Sequence, residues 1–231
     1  MTHPARRNDG RVTMNQGTRC TGCRQAVMMA VIILLTAEAP VASQEVRVGL
    51  RAGADFSTIR FQDPNAREHM ALKPGVHLGV SAAKELTPYL EAEASLLFTQ
   101  GGSAGKGGQP WDVAMDFLEL PLILRARLPA RISPHLTAGL SPRLKLRCKL
   151  VDVAVVGETT CDDPVLGRTW KGMELSAVGG GGAGMEVGPG RLTVEGTLVW
   201  GLTDLKDDPL PPGWARTADL RLSAIYSVPW R

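Results

Sequence analysis

Residues 89–99 read Tyr89-Leu90-Glu91-Ala92-Glu93-Ala94-Ser95-Leu96-Leu97-Phe98-Thr99. Leu90, Ala92, Ala94, Leu96 and Phe98 fall on one parity, while Glu91, Glu93 and Ser95 fall on the other. A period of two places successive side chains on opposite faces of a strand, whereas a helix would need an apolar recurrence near 3.6. The segment is also long. Soluble strands usually run about 5–6 residues, and membrane-crossing strands need about 9–11.

The same pattern recurs in both directions. Val46, Val48, Leu50, Ala52, Ala54 and Phe56 alternate with Arg47, Arg51 and Asp55; Val76, Leu78, Val80 and Ala82 alternate with His77, Gly79 and Ser81. Leu118 to Leu128 alternates around Glu119, Arg125 and Arg127, and Leu136 to Leu146 around Thr137, Arg143 and Lys145, with Arg147 next. Residues 173–187, 192–202 and 218–228 complete about eight strands. Short connections (85–88, 129–133, 188–190) alternate with long ones (60–73, 100–111, 149–170, 204–215), which is the hairpin rhythm of an outer-membrane barrel with short periplasmic turns and long extracellular loops. The expected fold class is therefore all-β, an eight-stranded antiparallel up-and-down transmembrane β-barrel, with both termini on the periplasmic side.

Alternation alone does not say which parity faces inward. A secreted, lipocalin-like barrel carrying an apolar ligand would put the apolar set inside. The apolar set here is almost free of charge, as a lipid-facing band requires, since a cation at the midplane costs roughly 2–4 kcal/mol. Aromatics also gather at strand ends. Phe56, Phe61, Phe98, Trp111, Phe117, Trp170, Trp200 and Trp214 fall on the loop side, and Tyr89, Tyr226 and Trp230 on the turn side. Two interfacial girdles are expected from this layout, with Phe56, Phe98, Trp200, Tyr226 and Trp230 as their main members.

Phe117-Leu118-Glu119-Leu120-Pro121-Leu122-Ile123-Leu124 resembles the aromatic-x-Glu-hydrophobic-Pro-hydrophobic strand of the PorT-type outer-membrane β-barrel proteins. Val48-Gly49-Leu50-Arg51-Ala52-Gly53 is similar to the first strand of that family. The resemblance covers Val46 to about Tyr226. It implies an eight-stranded barrel without established catalytic residues.

The whole chain has 231 residues, 21% charged, with a net charge of +3, and is too balanced to bind nucleic acid through phosphate neutralisation. Residues 1–43 read as an N-terminal extension and signal peptide. Arg24 precedes the apolar run Ala26–Ala37, and Val41 and Ser43 fit a cut before Gln44. Met14 is an alternative start, and Cys20 and Cys23 would be discarded with the leader. Residues 44–231 are then the barrel domain, delivered to the bacterial outer membrane, with outer-membrane lipid and the assembly machinery as partners and a protein or ligand at the extracellular loops as a third. The final strand, Ala218 to Trp230, has the alternating form ending in an aromatic that the assembly machinery receives.

The inward parity predicts a lumen charge network of Arg47, Arg51, Asp55, Glu91, Glu93, Glu119, Arg125, Arg127, Arg143, Lys145, Arg147, Glu174, Glu186, Arg191, Glu195, Asp219 and Arg221. The topology places Glu91 and Glu93 beside Arg127 and Arg125, since both lie near the same short-turn end, Glu186 opposite Arg191, and Glu174 near Arg143–Arg147. Paired carboxylates are also the currency of glycoside hydrolysis, but a narrow barrel is filled by its own side chains, so ion pairing is the expected role. Gly179, Gly181 and Gly184 satisfy G-x-G-x-x-G. The following Gly188-Pro189-Gly190 forbids the helix a dinucleotide site needs, so no cofactor is expected. His3, His69, His77 and His135 form no visible Ser-His-Asp or metal pattern, and neither a catalytic nor a metal site is expected. Cys148 and Cys161 border the longest loop, and a disulfide between them is expected in an oxidising compartment. The function expected is a small outer-membrane barrel of structural, assembly or interaction role, the alternatives being a loop-mediated adhesion module and the soluble carrier.

Overall fold

The computed structural model describes residues 45–62, 70–106, 111–152, 157–161, 170–205 and 213–230. The segment expected to be a signal peptide, with Cys20, Cys23 and His3, lies outside the described residues, as does His69. Among the described residues, eight long antiparallel staves close into a ring: β1 (Val46–Phe61), β2 (Lys73–Thr87), β3 (Leu90–Gly105), β4 in two pieces (Trp111–Glu119 and Leu122–Arg127), β5 (Ile132–Asp152), β6 (Met173–Val187), β7 (Gly190–Gly201) and β8 (Ala215–Pro229). Each pairs with its sequence neighbour, and β1 pairs β8 from Arg47↔Pro229 to Phe61↔Ala215, so no long edge is left open. Two short strands, Met70–Ala71 and Gly157–Thr160, extend the loop end of β3 and β5.

The break in β4 falls at Leu120-Pro121, where proline lacks the N–H a ladder needs. Carbonyls still bridge the gap: Leu120 N–H donates to Pro142 O, and Ser95 N–H donates to Pro121 O, both at 3.0 Å. At the short-turn end, Gly188 adopts φ 61°, a conformation that suits glycine in the tight 187–190 hairpin.

The faces are assigned by exposure. Leu136 is 72% and Leu50 66% exposed, and Leu78, Leu124, Val194, Leu198 and Leu222 share this outward belt. Arg51, Asp55, Glu91, Glu93, Glu119, Arg125, Arg143, Glu174, Glu195, Asp219 and Arg221 are buried. That is the reverse of a soluble carrier barrel and the arrangement lipid demands.

The staves run past the membrane. β5 spans 21 residues, about twice the crossing length, so the sequences expected as loops at 100–105 and 149–152 continue as strand. On this loop-side extension the interior turns apolar: Ile59, Val113, Met115, Phe117, Cys148, Cys161 and Ala215 form a buried cluster, with Phe61, Leu150 and Trp170 packed on it. Its outer wall turns polar, carrying the ion pair Arg147–Asp116 (2.7 Å) and Asp112, which Lys73 reaches at 2.8 Å.

Candidate functional site

The barrel interior is the candidate site, built in tiers along the axis. Nearest the short turns is a cup of about 330 Å³ lined by Arg47, Arg127, Arg131, Arg191, Glu85 and Glu186, among others. Arg47 pairs with Glu186 (3.3 Å) and Arg127 with Glu85 (2.7 Å). Glu186 and Arg191 are register partners, as expected. Among the described residues they form no close ion pair, however: Glu186, with a side chain 63% exposed, turns to Arg47, and Arg191 approaches Glu91 at 3.9 Å.

The next tier is a closed ion cluster. Arg51 bridges Glu93 (3.0 Å) and Glu195. Arg125 bridges Glu91, Glu93 (2.9 Å) and Glu195 (3.0 Å). Register explains the hairpin pairs, since Glu91 faces Arg125 across β3 and β4. Glu195 comes from the opposite wall, and its place here depends on ring closure. His135 Nε2 approaches the same carboxylate at 3.4 Å.

A second cluster follows. Arg221 donates two hydrogen bonds to Glu119 (2.7 and 2.8 Å) and pairs with Asp55 (2.7 Å). Arg143 pairs with Glu119, Asp219 (2.9 Å) and Glu174 (3.4 Å), and lies on the Phe117 ring, 4.4 Å from its centroid. Thr217 Oγ1 donates to Glu174 at 2.8 Å. Carboxylates and guanidiniums so enclosed are stable only when each has partners, and truncating one leaves an uncompensated charge. Between the clusters sit the buried apolar side chains of Ile123, Val178 and Val199.

Between these tiers the structure assembles a trio that sequence spacing did not reveal. His77 Nδ1 lies 2.9 Å from Asp55 Oδ2, and His77 Nε2 lies 3.0 Å from Ser223 Oγ. His77, Gly53 and Ser223 occupy one row across β2, β1 and β8. Only glycine at the centre lets the imidazole cross that row: a Cβ on residue 53 would sit 2.6 Å from the ring. The order Ser-His-Asp is that of a nucleophilic triad. All three side chains are buried here, Asp55 is also bound by Arg221, and Ser223 accepts a hydrogen bond from Arg51 at 3.2 Å. The arrangement satisfies buried polar groups and leaves the serine no substrate-facing side.

Three expectations are corrected. Arg147 is not in the lumen: a register shift between Asp116 and Phe117 inserts a bulge, so Cys148 turns inward opposite Met115 and Arg147 turns outward with a side chain 58% exposed. Lys145 faces inward opposite Phe117, and among the described residues it is placed in neither ion cluster, its Nζ donating to Trp170 O at 2.8 Å. Phe117 is not a girdle residue, because it shares the parity of Glu119 and is buried in the apolar cluster. Phe98, Trp200, Tyr226 and Trp230 do lie on the exposed outer wall, with Phe56 half-buried on the same parity. Cys148 and Cys161 are joined, Cα to Cα 5.4 Å, within the loop-side cluster.

The family described as outer membrane protein beta-barrel domain matches residues 40–207. No curated protein matches the sequence. Among solved structures, the chain is similar to the attachment invasion locus protein Ail of Yersinia pestis (13% identity, 79% of this chain and 99% of that one, TM-score 0.43). It is also similar to Neisserial surface protein A (13%, 80% and 98%, 0.44) and to OprG from Pseudomonas aeruginosa (13%, 81% and 94%, 0.42).

Proposed function

The chain belongs to the outer membrane protein beta-barrel domain family and resides in the bacterial outer membrane, and from that premise we propose that it acts as a closed, non-conducting barrel that carries an interaction platform on its extracellular end. The observation that carries this reading is the filled interior. Two ion clusters and an apolar plug succeed one another along the axis, and a solute would have to break several buried ion pairs to pass. The role is structural or interactive rather than catalytic, since the Asp55–His77–Ser223 trio faces the packed interior. Within the family, the Phe117–Leu124 strand supports the PorT-type branch. The platform is the extension of the staves beyond the lipid, tied by the Cys148–Cys161 bridge, where a protein or ligand would dock on the connecting loops. Delivery by a signal peptide at residues 1–43 and insertion by the assembly machinery through the β8 strand complete the proposal.

Planar-bilayer recording tests it. The purified protein is expected to give no stable conductance steps in neutral lipid. Reproducible steps from the unaltered protein would overturn the closed-barrel reading.

A further inference from the structure

On the outer wall, Arg60 of β1 and Arg216 of β8 are direct register partners. Like charges directly opposed across an antiparallel pair repel, and no carboxylate among the described residues pairs with either. Each lies instead on a tryptophan: Arg60 is 4.2 Å from the Trp200 ring centroid, and Arg216 is 4.9 Å from that of Trp214. Arg147, on the outward parity of β5, is unlike them, because it pairs with Asp116.

Their height on the barrel matters. Below them run the lipid-facing residues Leu198, Leu220 and Leu222, then Trp200 at the belt's upper edge. Arg60 and Arg216 sit one step beyond, on the long-loop side, which is the extracellular side in this architecture. Tryptophan holds the headgroup level of a bilayer. An arginine fork binds phosphate in two-pronged fashion, and stacking on an aromatic face fixes the fork in place. Opposed residues have Cβ atoms about 4.5–5.5 Å apart, so one phosphate group reaches both.

We propose that Arg60 and Arg216, braced on Trp200 and Trp214, form a binding site for the phosphate of an outer-leaflet lipid headgroup. The phosphate neutralises the opposed pair, while the acyl chains lie along the apolar wall below. The source is a lipid rather than a free anion because the site opens sideways at the interface and not into a pocket.

The test uses the folded protein in a detergent with an uncharged headgroup. Bisphosphorylated lipid A, phosphate-free lipid A with the same acyl chains, and inorganic phosphate are added separately, and bound lipid is counted by native mass spectrometry. Unaltered protein is expected to prefer the phosphorylated lipid by about tenfold; Arg60→Gln/Arg216→Gln loses that preference, Lys73→Gln keeps it, and inorganic phosphate does not compete. Equal binding by the double variant, indifference to the lipid phosphates, or full competition by inorganic phosphate would each overturn the proposal. Melting of the single variant Arg216→Gln supplies an independent check. Without lipid it should melt at the same temperature as the unaltered protein or higher, because a repulsion is gone, and phosphorylated lipid A should raise the melting temperature of the unaltered protein only. A variant that melts lower without lipid, or gains equally from it, would show a structural role instead.

Discussion

The lower and upper halves of this barrel are built from the same eight staves, yet one is inside out relative to the other. Below the level of Phe56, Phe98 and Trp200, the inward parity carries Arg51, Asp55, Glu119 and Asp219, while the outward parity carries Leu50, Leu118 and Leu220. Above it, the inward parity of the same strands carries Ile59, Met115, Phe117 and Ala215, while the outward parity carries Arg60, Asp112, Asp116 and Arg216. The change takes place within a residue or two on β1, β4 and β8. The surrounding solvent explains it: hydrocarbon forces polar groups inward and water forces apolar groups inward. The difference teaches that polarity within a stave, and not the fold, marks where the lipid ends.

The comparison is most sharply broken from inside the charged half. Glu119→Leu leaves Arg143 and Arg221 without their shared carboxylate and should cost about 3–5 kcal/mol, read as loss of heat-resistant mobility on gels or a lower denaturant midpoint. The upper half has a different tether. Cys148→Ser removes the bridge between residues 13 apart and should cost about 3 kcal/mol in the chain-entropy account. Protease should then cut the loop-side extension first and leave the lipid-embedded half intact; simultaneous loss of both would mean the halves are one cooperative unit.

Two outward substitutions sharpen the boundary itself. Leu122→Arg points a cation into lipid between Ala94 and Leu140 and should cost roughly 2–4 kcal/mol, blocking stable insertion. Ala114→Arg, on the same stave but above the boundary, lies between Asp112 and Asp116 on the outer face and should change stability by no more than about 0.5 kcal/mol. Folding yields in lipid vesicles compare the two directly, and equal damage would place lipid above Ala114.

Much of this was legible in the sequence. Strict alternation at Tyr89–Thr99 and its repeats gave the staves and the faces, because a period of two admits no other reading over ten residues. Glu91 and Glu93 were legible as neighbours of Arg125 and Arg127 because both groups lie at the short-turn end of adjacent strands, but the one-to-one register Glu91↔Arg125 was not, because a long connection joins β3 to β4. The reversal in the upper half was not: Phe117 reads equally as a girdle aromatic or a plug, since aromatics suit both an interface and a core. Arg147 was misplaced because a bulge leaves no mark in the alternation. Asp55, His77 and Ser223 come from three strands whose adjacency exists only once β8 closes on β1, and no local spacing encodes that closure.

The most direct test of the reversal is a spin-label scan along the outward parity of β4 in lipid nanodiscs, with the Cys148–Cys161 bridge intact. Labels at Leu124, Leu122 and Leu118 should collide preferentially with oxygen, and labels at Asp116, Ala114 and Asp112 with an aqueous nickel reagent, switching between Leu118 and Asp116. Oxygen preference persisting through Asp112, or nickel access at Leu122 and Leu124, would contradict the account.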